Sequence, residues 1–308
     1  MIISIFVKYI FIKYEENMNN QSILISVVVP MYNASAFIRK CIEHLIHQTY
    51  KNLEIIVVDD GSSDDSGKII KEYIKKDKRI KLITQKNAGV SVASNVGILA
   101  AKGKYIHIHD HDDFVNLDYF EKMANVAELT DADVLCGEVN QPRFNFPVFD
   151  SIEILISLSD KILKTRANLF SPVWRYVYKT DFLKNNNILF EPCLRGDQDF
   201  IFSKKSIILA DKVATVPKAI YNVIDTPTAL GKINKTNNIP TKEQIDTWDK
   251  WGKFVKEHNA EELLNTPEYP YHIDYYTMFR KNIFKRCKLT KEEKIYLFGI
   301  RIIKKYID

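Results

Sequence analysis

The sequence predicts an α/β fold in which the N-terminal half forms a doubly wound, mostly parallel sheet flanked by helices. Runs of β-branched residues alternate with helical patterns from residue 22 to residue 109, and the connections between them are short. Five of the ten glycines fall in this region, between residues 61 and 103, where they permit close backbone approach. Such an alternation favours parallel strands joined by right-handed crossovers.

Each element of this half follows from its local pattern. The first strand, SILISVVVP, is nearly continuous in apolar character, which is typical of a strand buried on both faces, and Pro30 ends it. The next segment repeats apolar residues every three or four positions and predicts an amphipathic helix. On these criteria the predicted strands are 22–30, 53–58, 80–84 and 105–109, and the predicted helices are 34–47, 68–74 and 90–101.

Composition indicates a globular protein with an ample core, because 46% of the residues are hydrophobic and 12% are aromatic. The cysteines are widely spaced and form no CxxC pair, so we expect reduced, buried thiols and a cytoplasmic location. They are Cys41, Cys136, Cys193 and Cys287.

The first residues are apolar but do not match a targeting segment. Residues 1–14 are interrupted by Lys8 and Lys13, are too short to span a bilayer and lack the cleavage site of a signal peptide. We therefore expect 1–21 to be an N-terminal extension, with Met18 as an alternative start.

Positive charge is concentrated near the C-terminus. Residues 280–305 hold ten Lys or Arg against two Glu, an excess of +8, whereas the rest of the chain has a net charge of −3. This distribution disfavours a generally basic nucleic-acid-binding protein, so we expect no nucleic-acid partner.

The C-terminal region, 226–308, is predicted to be a mainly helical extension of an α/β domain that spans 22–225. Apolar residues recur there at helical spacing, for example Trp248, Trp251 and Val255. Its last segment, KEEKIYLFGIRIIKKY, has one apolar and one basic face if helical. We expect either an interfacial helix on the anionic inner face of the cytoplasmic membrane or an ordinary helix docked on the α/β domain.

An acidic cluster follows the fourth predicted strand. The strand runs directly into Asp110, Asp112 and Asp113, at the end where open parallel sheets place their ligands. Carboxylates this close together repel one another and are best tolerated beside a divalent cation, for which oxygen ligands indicate Mg²⁺ or Mn²⁺. In isolation the cluster also fits a solvated acidic turn with a helix-capping side chain.

Several motifs in the same order resemble a known family. The sequence VVVPMYNASAFIRKCIEHLIHQTYKNLEIIVVDDGSSDDS, followed by QKNAGVSVASNVGILAAKGKYIHIHDHDD, resembles the N-terminal half of family-2 inverting glycosyltransferases of the GT-A fold. The resemblance is continuous over about 25–120 and resumes more weakly at SPVWRYVYKTDFLKNNNILF and RGDQDFIF. A dinucleotide-binding Rossmann protein and a P-loop NTPase are disfavoured, because neither GxGxxG after the first strand nor GxxxxGK[ST] occurs.

The resemblance implies roles for individual residues. Asp112, in the DxD-like triplet that begins at Asp110, would be the principal ligand of Mn²⁺ or Mg²⁺. Asp197, three residues before Phe200, would be the catalytic base. The residues implied to contact a nucleotide diphosphate sugar are Pro30, Tyr32, Asp59, Asp60, Asn87, Gly89, Asn95 and Asp110.

Some positions depart from the family pattern. Ser94 stands where many relatives have Arg, and Gly196 replaces the usual Glu before Asp197. Asp199 is the neighbouring alternative for the base, and either carboxylate also fits the first turn of a helix. His107 and His109, with His111, lie on one side of the strand by alternation, and direct metal ligation by them is a secondary hypothesis.

The resulting hypothesis is an inverting glycosyltransferase that moves a sugar from a nucleotide diphosphate sugar, expected to be a UDP-sugar, to a hydroxyl of a growing bacterial surface glycan. Such a reaction needs positive charge beside the departing diphosphate and a carboxylate that takes the proton of the acceptor. The expected partners are the donor, a glycan or lipid-linked glycan acceptor and the anionic inner membrane. A non-catalytic sugar-nucleotide-binding or scaffold protein is the alternative.

Overall fold

A computed structural model describes residues 22–141, 146–168, 171–194, 198–224 and 241–261, together with the backbone of 294–297 and 300–304. The predicted extension 1–21 and the predicted base Asp197 lie outside the described residues. Within the described ranges, no helix is both long and apolar enough to cross a bilayer.

The chain alternates strands and helices in its N-terminal half and mixes them less regularly afterwards. The strands are β1 (Ile25–Met31), β2 (Leu53–Asp59), β3 (Ile80–Thr84), β4 (Tyr105–Ile108), β5 (Phe114–Val115), β6 (Val134–Asn140), β7 (Ile154–Leu155), β8 (Tyr176–Lys179), β9 (Val213–Asn222), β10 (Lys294–Leu297) and β11 (Ile300–Lys304). The helices are α1 (Ile38–Ile46), α2 (Ser66–Ile74), α3 (Val90–Ala100), α4 (Tyr119–Thr130), α5 (Leu158–Lys164), α6 (Thr180–Asn185), α7 (Gln198–Leu209) and α8 (Lys242–Glu257).

One nine-stranded sheet forms the centre of the molecule, with the order β3-β2-β1-β4-β8-β6-β9-β5 and with β7 paired to β9. The first four strands are mutually parallel, and Ile25 of β1 lies opposite Leu53 of β2 on one side and Tyr105 of β4 on the other. Strand β8 is antiparallel to both β4 and β6, so the second half of the sheet is mixed. The predicted α/β class with a mostly parallel sheet is confirmed.

The parallel half is held together by strands that are buried on both faces. All seven residues of β1 and all seven of β2 are buried, as their nearly continuous apolar sequences predict. Helix α3 packs close to β1 because Gly97 has no side chain, and a Cβ there would lie 2.2 Å from Cγ1 of Val28. The close packing of α3 on β1 therefore fixes the position of this helix relative to the sheet.

The C-terminal region is helical in one part and extended in another. Helix α8 begins with a capping box between Thr241 and Gln244, and the helical spacing predicted for Trp248, Trp251 and Val255 is confirmed. The helix predicted for the last segment is wrong over 294–297 and 300–304, where β10 and β11 form an antiparallel pair. Alternating isoleucines and an aromatic residue favour strands there, and helical periodicity was the weaker signal.

A lysine is buried in the second half of the core. Lys204 in α7 is 1% exposed, and its Nζ donates a hydrogen bond to the Asn168 carbonyl oxygen at 3.3 Å. The Nζ atom also lies 4.2 Å from the ring centre of Phe200.

Burial lowers the pKa of Lys204 to about 7, because the ammonium loses its hydration. The unfolded chain therefore binds the proton more tightly, and stability rises with pH between about 7 and the unfolded lysine pKa of about 10.4.

We expect Lys204→Met to stabilise the protein at pH 7 by about 2 kcal/mol, because it removes the cost of burying a charge. The gain should shrink as the pH approaches 9.5, where the wild-type amine is neutral in the folded state. Urea unfolding at several pH values measures both effects. The matched control is Lys71→Met, at an exposed position of α2, which should leave the pH dependence unchanged. A constant gain at all pH values would contradict the assignment.

Candidate active site

The candidate site lies at the carboxyl end of the parallel strands. Strands β2, β1 and β4 are neighbours, so the residues that follow them meet at one edge of the sheet. The Asp60 amide donates to the Met31 carbonyl oxygen at 2.9 Å, which ties the end of β2 to the end of β1. Nδ1 of His111 lies 3.3 Å from the Pro30 carbonyl oxygen and links the loop after β4 to β1.

Three carboxylates gather after β4. Asp110, Asp112 and Asp113 each offer an oxygen, and these oxygens lie within 4.8 Å of one another. Burial raises the pKa of Asp113 to about 7, and the nearby Asp112 adds to the rise. Burial also raises the pKa of Asp110 well above its usual range, with further increases from Asp113, Asp199 and Asp112. Negative charge is therefore costly at this position.

The donor set of this cluster suits a hard divalent cation. Carboxylate oxygens are the ligands that Mg²⁺ and Mn²⁺ prefer, and a cation there would offset the repulsion among the three groups. The predicted ligand Asp112 belongs to the cluster, and the other two carboxylates that the sequence groups with it, Asp110 and Asp113, are candidate ligands too. Asp113 is already held in place, because its Oδ1 accepts a hydrogen bond from the Ile224 amide at 2.7 Å.

The histidines near this strand do not join the carboxylate cluster in the described part of the chain. His107 and His109 are fully buried, and Nδ1 of His107 donates to the Tyr176 carbonyl oxygen at 3.1 Å. Burial lowers the pKa of His107 to about 4, so its ring is neutral near pH 7. Tyr221 contacts both rings and stacks on Trp174 at 4.5 Å. The two histidines therefore belong to an aromatic layer beneath the acidic cluster.

Asp60 organises the loop before α3. Its Oδ1 accepts hydrogen bonds from Gln85 Nε2 at 2.7 Å and from the Ala88 amide at 2.9 Å, and its Oδ2 accepts one from the Gly89 amide at 2.8 Å. This carboxylate is 3% exposed. The loop leaves Asn87 and Gly89 exposed at the edge of the sheet. The sequence predicts that Asp60 contacts the nucleotide sugar, and this contact stays a prediction. It does not predict the hydrogen bonds that Asp60 accepts, since the groups that donate them lie 25 to 29 residues away.

Asp59 shapes the turn after β2. Its Oδ1 accepts a hydrogen bond from the Ser62 amide at 2.9 Å, and the intervening Gly61 adopts a φ of +77°. A Cβ on Gly61 would lie 2.9 Å from the Asn87 amide nitrogen, so only glycine lets the two loops approach this closely. The DG pair in the sequence signals this turn. Across the same edge, the side chain of Tyr32 is 49% exposed, which leaves an aromatic surface open to solvent.

Asn95 makes a paired contact inside the chain. Its Nδ2 donates to the Phe190 carbonyl oxygen at 3.0 Å, and its Oδ1 accepts from the Phe190 amide at 2.8 Å. The side-chain amide thereby fixes a segment 95 residues further along the chain. The predicted contact of Asn95 with a nucleotide sugar stays a prediction.

A fourth carboxylate lies at the start of α7. Asp199 lies in the first turn of that helix, and its Oδ2 accepts a hydrogen bond from the Val173 amide at 3.4 Å. Its charge contributes to the raised pKa of Asp110. Asp197, the predicted base, precedes this turn by one residue and lies outside the described residues.

The fold and the arrangement of these loops are those of a GT-A-type domain. Residues 26–181 match the model of glycosyl transferase family 2, and the chain belongs to that family. A relative is the uncharacterized glycosyltransferase EpsJ of Bacillus subtilis, 34% identical over 231 residues, which are 72% of this chain and 65% of EpsJ. The chain thus spans slightly less than two thirds of that relative.

Solved structures share the fold at low sequence identity. The Staphylococcus aureus protein TarS, residues 1–349 in complex with UDP-GlcNAc, is 21% identical with a TM-score of 0.69, covering 85% of this chain and 76% of that one. The mannosyltransferase PcManGT of Pyrobaculum calidifontis, in complex with GDP-Man and Mn²⁺, is 15% identical with a TM-score of 0.52, covering 88% of this chain and 76% of its own. The predicted GT-A fold is confirmed.

We expect Asp60→Ala to lower the free energy of unfolding by about 1–2 kcal/mol, because the backbone amides of Ala88 and Gly89 and the side-chain amide of Gln85 lose their shared acceptor. Thermal and urea unfolding measure the loss. Asp65→Ala is the control, since Asp65 is exposed in the same region and makes no capping hydrogen bond to α2, and it should change stability by less than about 0.5 kcal/mol. Equal stability of the two variants would show that Asp60 does not organise the loop.

Proposed function

We propose that this protein is an inverting glycosyltransferase that moves a sugar from a nucleotide diphosphate sugar to a hydroxyl group of a growing bacterial surface glycan. The observation that carries the proposal is the acidic cluster at the carboxyl end of β4. Transfer from a diphosphate requires positive charge beside the leaving group, which a cation at this cluster would supply, and a carboxylate that takes the proton of the acceptor. Membership of glycosyl transferase family 2 supports it independently.

The residues after β1, β2 and β4 would hold the donor. Asp112, with Asp110 and Asp113, would hold Mn²⁺ or Mg²⁺, which when bound supplies positive charge beside the departing diphosphate. The exposed ring of Tyr32 offers a surface for the nucleotide base. The loop that Asp60 fixes would present Asn87 and Gly89 to the donor.

A carboxylate at the start of α7 would accept the proton of the acceptor hydroxyl. We assign this role to Asp197, with Asp199 as the alternative, and the family resemblance of the segment RGDQDFIF supports this assignment. Attack from the face opposite the diphosphate inverts the anomeric carbon, so no covalent sugar–enzyme intermediate forms. The leaving nucleotide diphosphate departs with the electron pair of the broken glycosidic bond, and the proton of the acceptor passes to the carboxylate.

The donor is proposed to be a UDP-sugar, and the glycan is proposed to be assembled at the membrane. The complex of TarS with UDP-GlcNAc supports the first point through the shared fold. The +8 excess of residues 280–305 supports peripheral contact with the anionic inner face of the cytoplasmic membrane. A lipid-linked glycan acceptor would be held at the same surface.

The test is turnover of purified protein with UDP-, GDP-, CMP- and dTDP-sugars, with and without Mn²⁺, measured as released nucleotide. One donor should be turned over in a metal-dependent manner, and Asp112→Asn and Asp197→Asn should each lower the rate by about 10²-fold or more. Asp65→Asn is the control and should be fully active.

Other outcomes separate the alternatives. A large loss in Asp199→Asn but not in Asp197→Asn would move the base to Asp199. Metal-dependent nucleotide binding without turnover of any donor or acceptor would favour the non-catalytic sugar-nucleotide-binding or scaffold protein, which the departures at Ser94 and Gly196 allow. Absence of all nucleotide binding would contradict the proposal.

A further inference from the structure

The loop that carries the acidic cluster is attached to strand β9. We call residues 109–113 the acidic loop, because they join β4 to β5 and include the three clustered carboxylates. The short strand β5 that follows pairs with the end of β9, where Val115 lies opposite Tyr221. The acidic loop therefore begins on the parallel half of the sheet and leads to β9.

Tyr221 contacts the acidic loop directly. Its hydroxyl oxygen accepts a hydrogen bond from the Asp110 amide at 3.2 Å. Burial raises the pKa of Asp113, and hydrogen bonds from the Ile224 amide and the Tyr221 hydroxyl oppose that rise. A tyrosine hydroxyl can accept and donate at the same time, so one group contacts both the first and the last residue of the cluster.

The ring of Tyr221 is packed in a way that fixes the direction of its hydroxyl. Tyr221 is fully buried, and its ring stacks on Trp174 with 4.5 Å between centroids and 18° between planes. His109 makes an edge-to-face contact with the same ring at 5.4 Å. Close packing against two other rings leaves few alternative orientations. The hydroxyl is therefore held in place before any ligand binds.

Neighbouring residues of β9 hold the chain that follows the acidic loop. The Asn116 amide donates to the Ile220 carbonyl oxygen at 3.1 Å, and Nδ2 of Asn222 donates to Oδ1 of Asn116 at 3.0 Å. Asn222 is itself oriented, because its Oδ1 accepts from Nδ2 of Asn140 at 3.0 Å. The end of β9 thus fixes the acidic loop and the residues after it. Residues 26–181, which match the family model, include this loop but not β9.

We infer that Tyr221 is a positioning residue that sets the geometry of the acidic loop for a divalent cation. The inference rests on the proposed function, because it assumes that the acidic cluster binds Mn²⁺ or Mg²⁺. Groups that hydrogen-bond to metal ligands orient them, and removal of such a group typically weakens metal binding by about 10- to 100-fold. Tyr221 holds Asp110 through its backbone and Asp113 through its carboxylate, so two of the three candidate ligands are arranged in advance.

The test compares Tyr221→Phe with Tyr105→Phe. Each variant removes one hydroxyl from a fully buried tyrosine, but the Tyr105 hydroxyl donates to the Ala132 carbonyl oxygen at 2.8 Å, and Tyr105 begins β4 at the end away from the acidic loop. We expect the dissociation constant of Mn²⁺, measured by isothermal titration calorimetry with UDP present, to rise about tenfold in Tyr221→Phe. In Tyr105→Phe it should stay within twofold of the wild type. Both variants should lose similar stability to urea, because each leaves one buried backbone group without its partner.

Donor turnover separates positioning from direct ligation. In Tyr221→Phe, excess Mn²⁺ should restore kcat to within threefold of the wild type, because all three carboxylates remain. In Asp112→Asn, which loses a ligand, excess Mn²⁺ should not restore kcat. Failure of excess Mn²⁺ to restore Tyr221→Phe would overturn the assignment of Tyr221 as a positioning residue.

Amide hydrogen exchange in the metal-free protein gives a readout that does not depend on activity. The Asp110 amide should exchange about tenfold faster in Tyr221→Phe, because it loses its acceptor, and at the wild-type rate in Tyr105→Phe. Equal exchange at Asp110, or equal Mn²⁺ affinity of Tyr221→Phe and the wild type, would overturn the inference. Absence of Mn²⁺ binding by the wild type would count against the proposed function instead, and exchange at Asp110 would still show whether Tyr221 holds the acidic loop.

Discussion

Repulsion among the carboxylates after β4 is the constraint on which the arrangement at the carboxyl end of the parallel strands depends. Asp110, Asp112 and Asp113 bring their oxygens within 4.8 Å of one another, and partial burial makes their charge costlier still. The layer beneath them contains neutral, buried His107 and His109 and the ring of Tyr221, none of which supplies a counter-charge. A bound cation would offset the repulsion among the three carboxylates. The same cation would supply positive charge beside a diphosphate.

The carboxylates at the end of β2, Asp59 and Asp60, act differently, because they accept hydrogen bonds from backbone amides. Asp60 fixes the loop that leads into α3, and Asn95 of α3 fixes Phe190. Three residues after Phe190, the Cys193 carbonyl oxygen accepts a hydrogen bond from Gln244 of α8. Hydrogen bonds therefore connect the loop after β2 to α3, and α3 to the chain that leads toward α7.

Local periodicity predicted the parallel half of the fold well and the remainder less well. β3 was predicted over the residues it occupies, and α3 within one residue, because the patterns there are strong and the connections short. The hairpin of β10 and β11 was missed, since an amphipathic sequence rich in isoleucine fits either structure. The roles of Asp60, Asn95 and Gln244 depend on partners 25 to 95 residues away, and no local pattern specifies such pairs.

Binding of Mn²⁺ tests the central claim most directly, because the acidic cluster is the basis of the proposed chemistry. Electron paramagnetic resonance measures the free ion when Mn²⁺ is titrated into the protein in the presence and absence of UDP. We expect one bound ion per chain, bound more tightly in the presence of UDP, and at least tenfold weaker binding in Asp112→Asn with the fold unchanged. Equal binding by the wild type and Asp112→Asn, or no binding even with UDP, would contradict it.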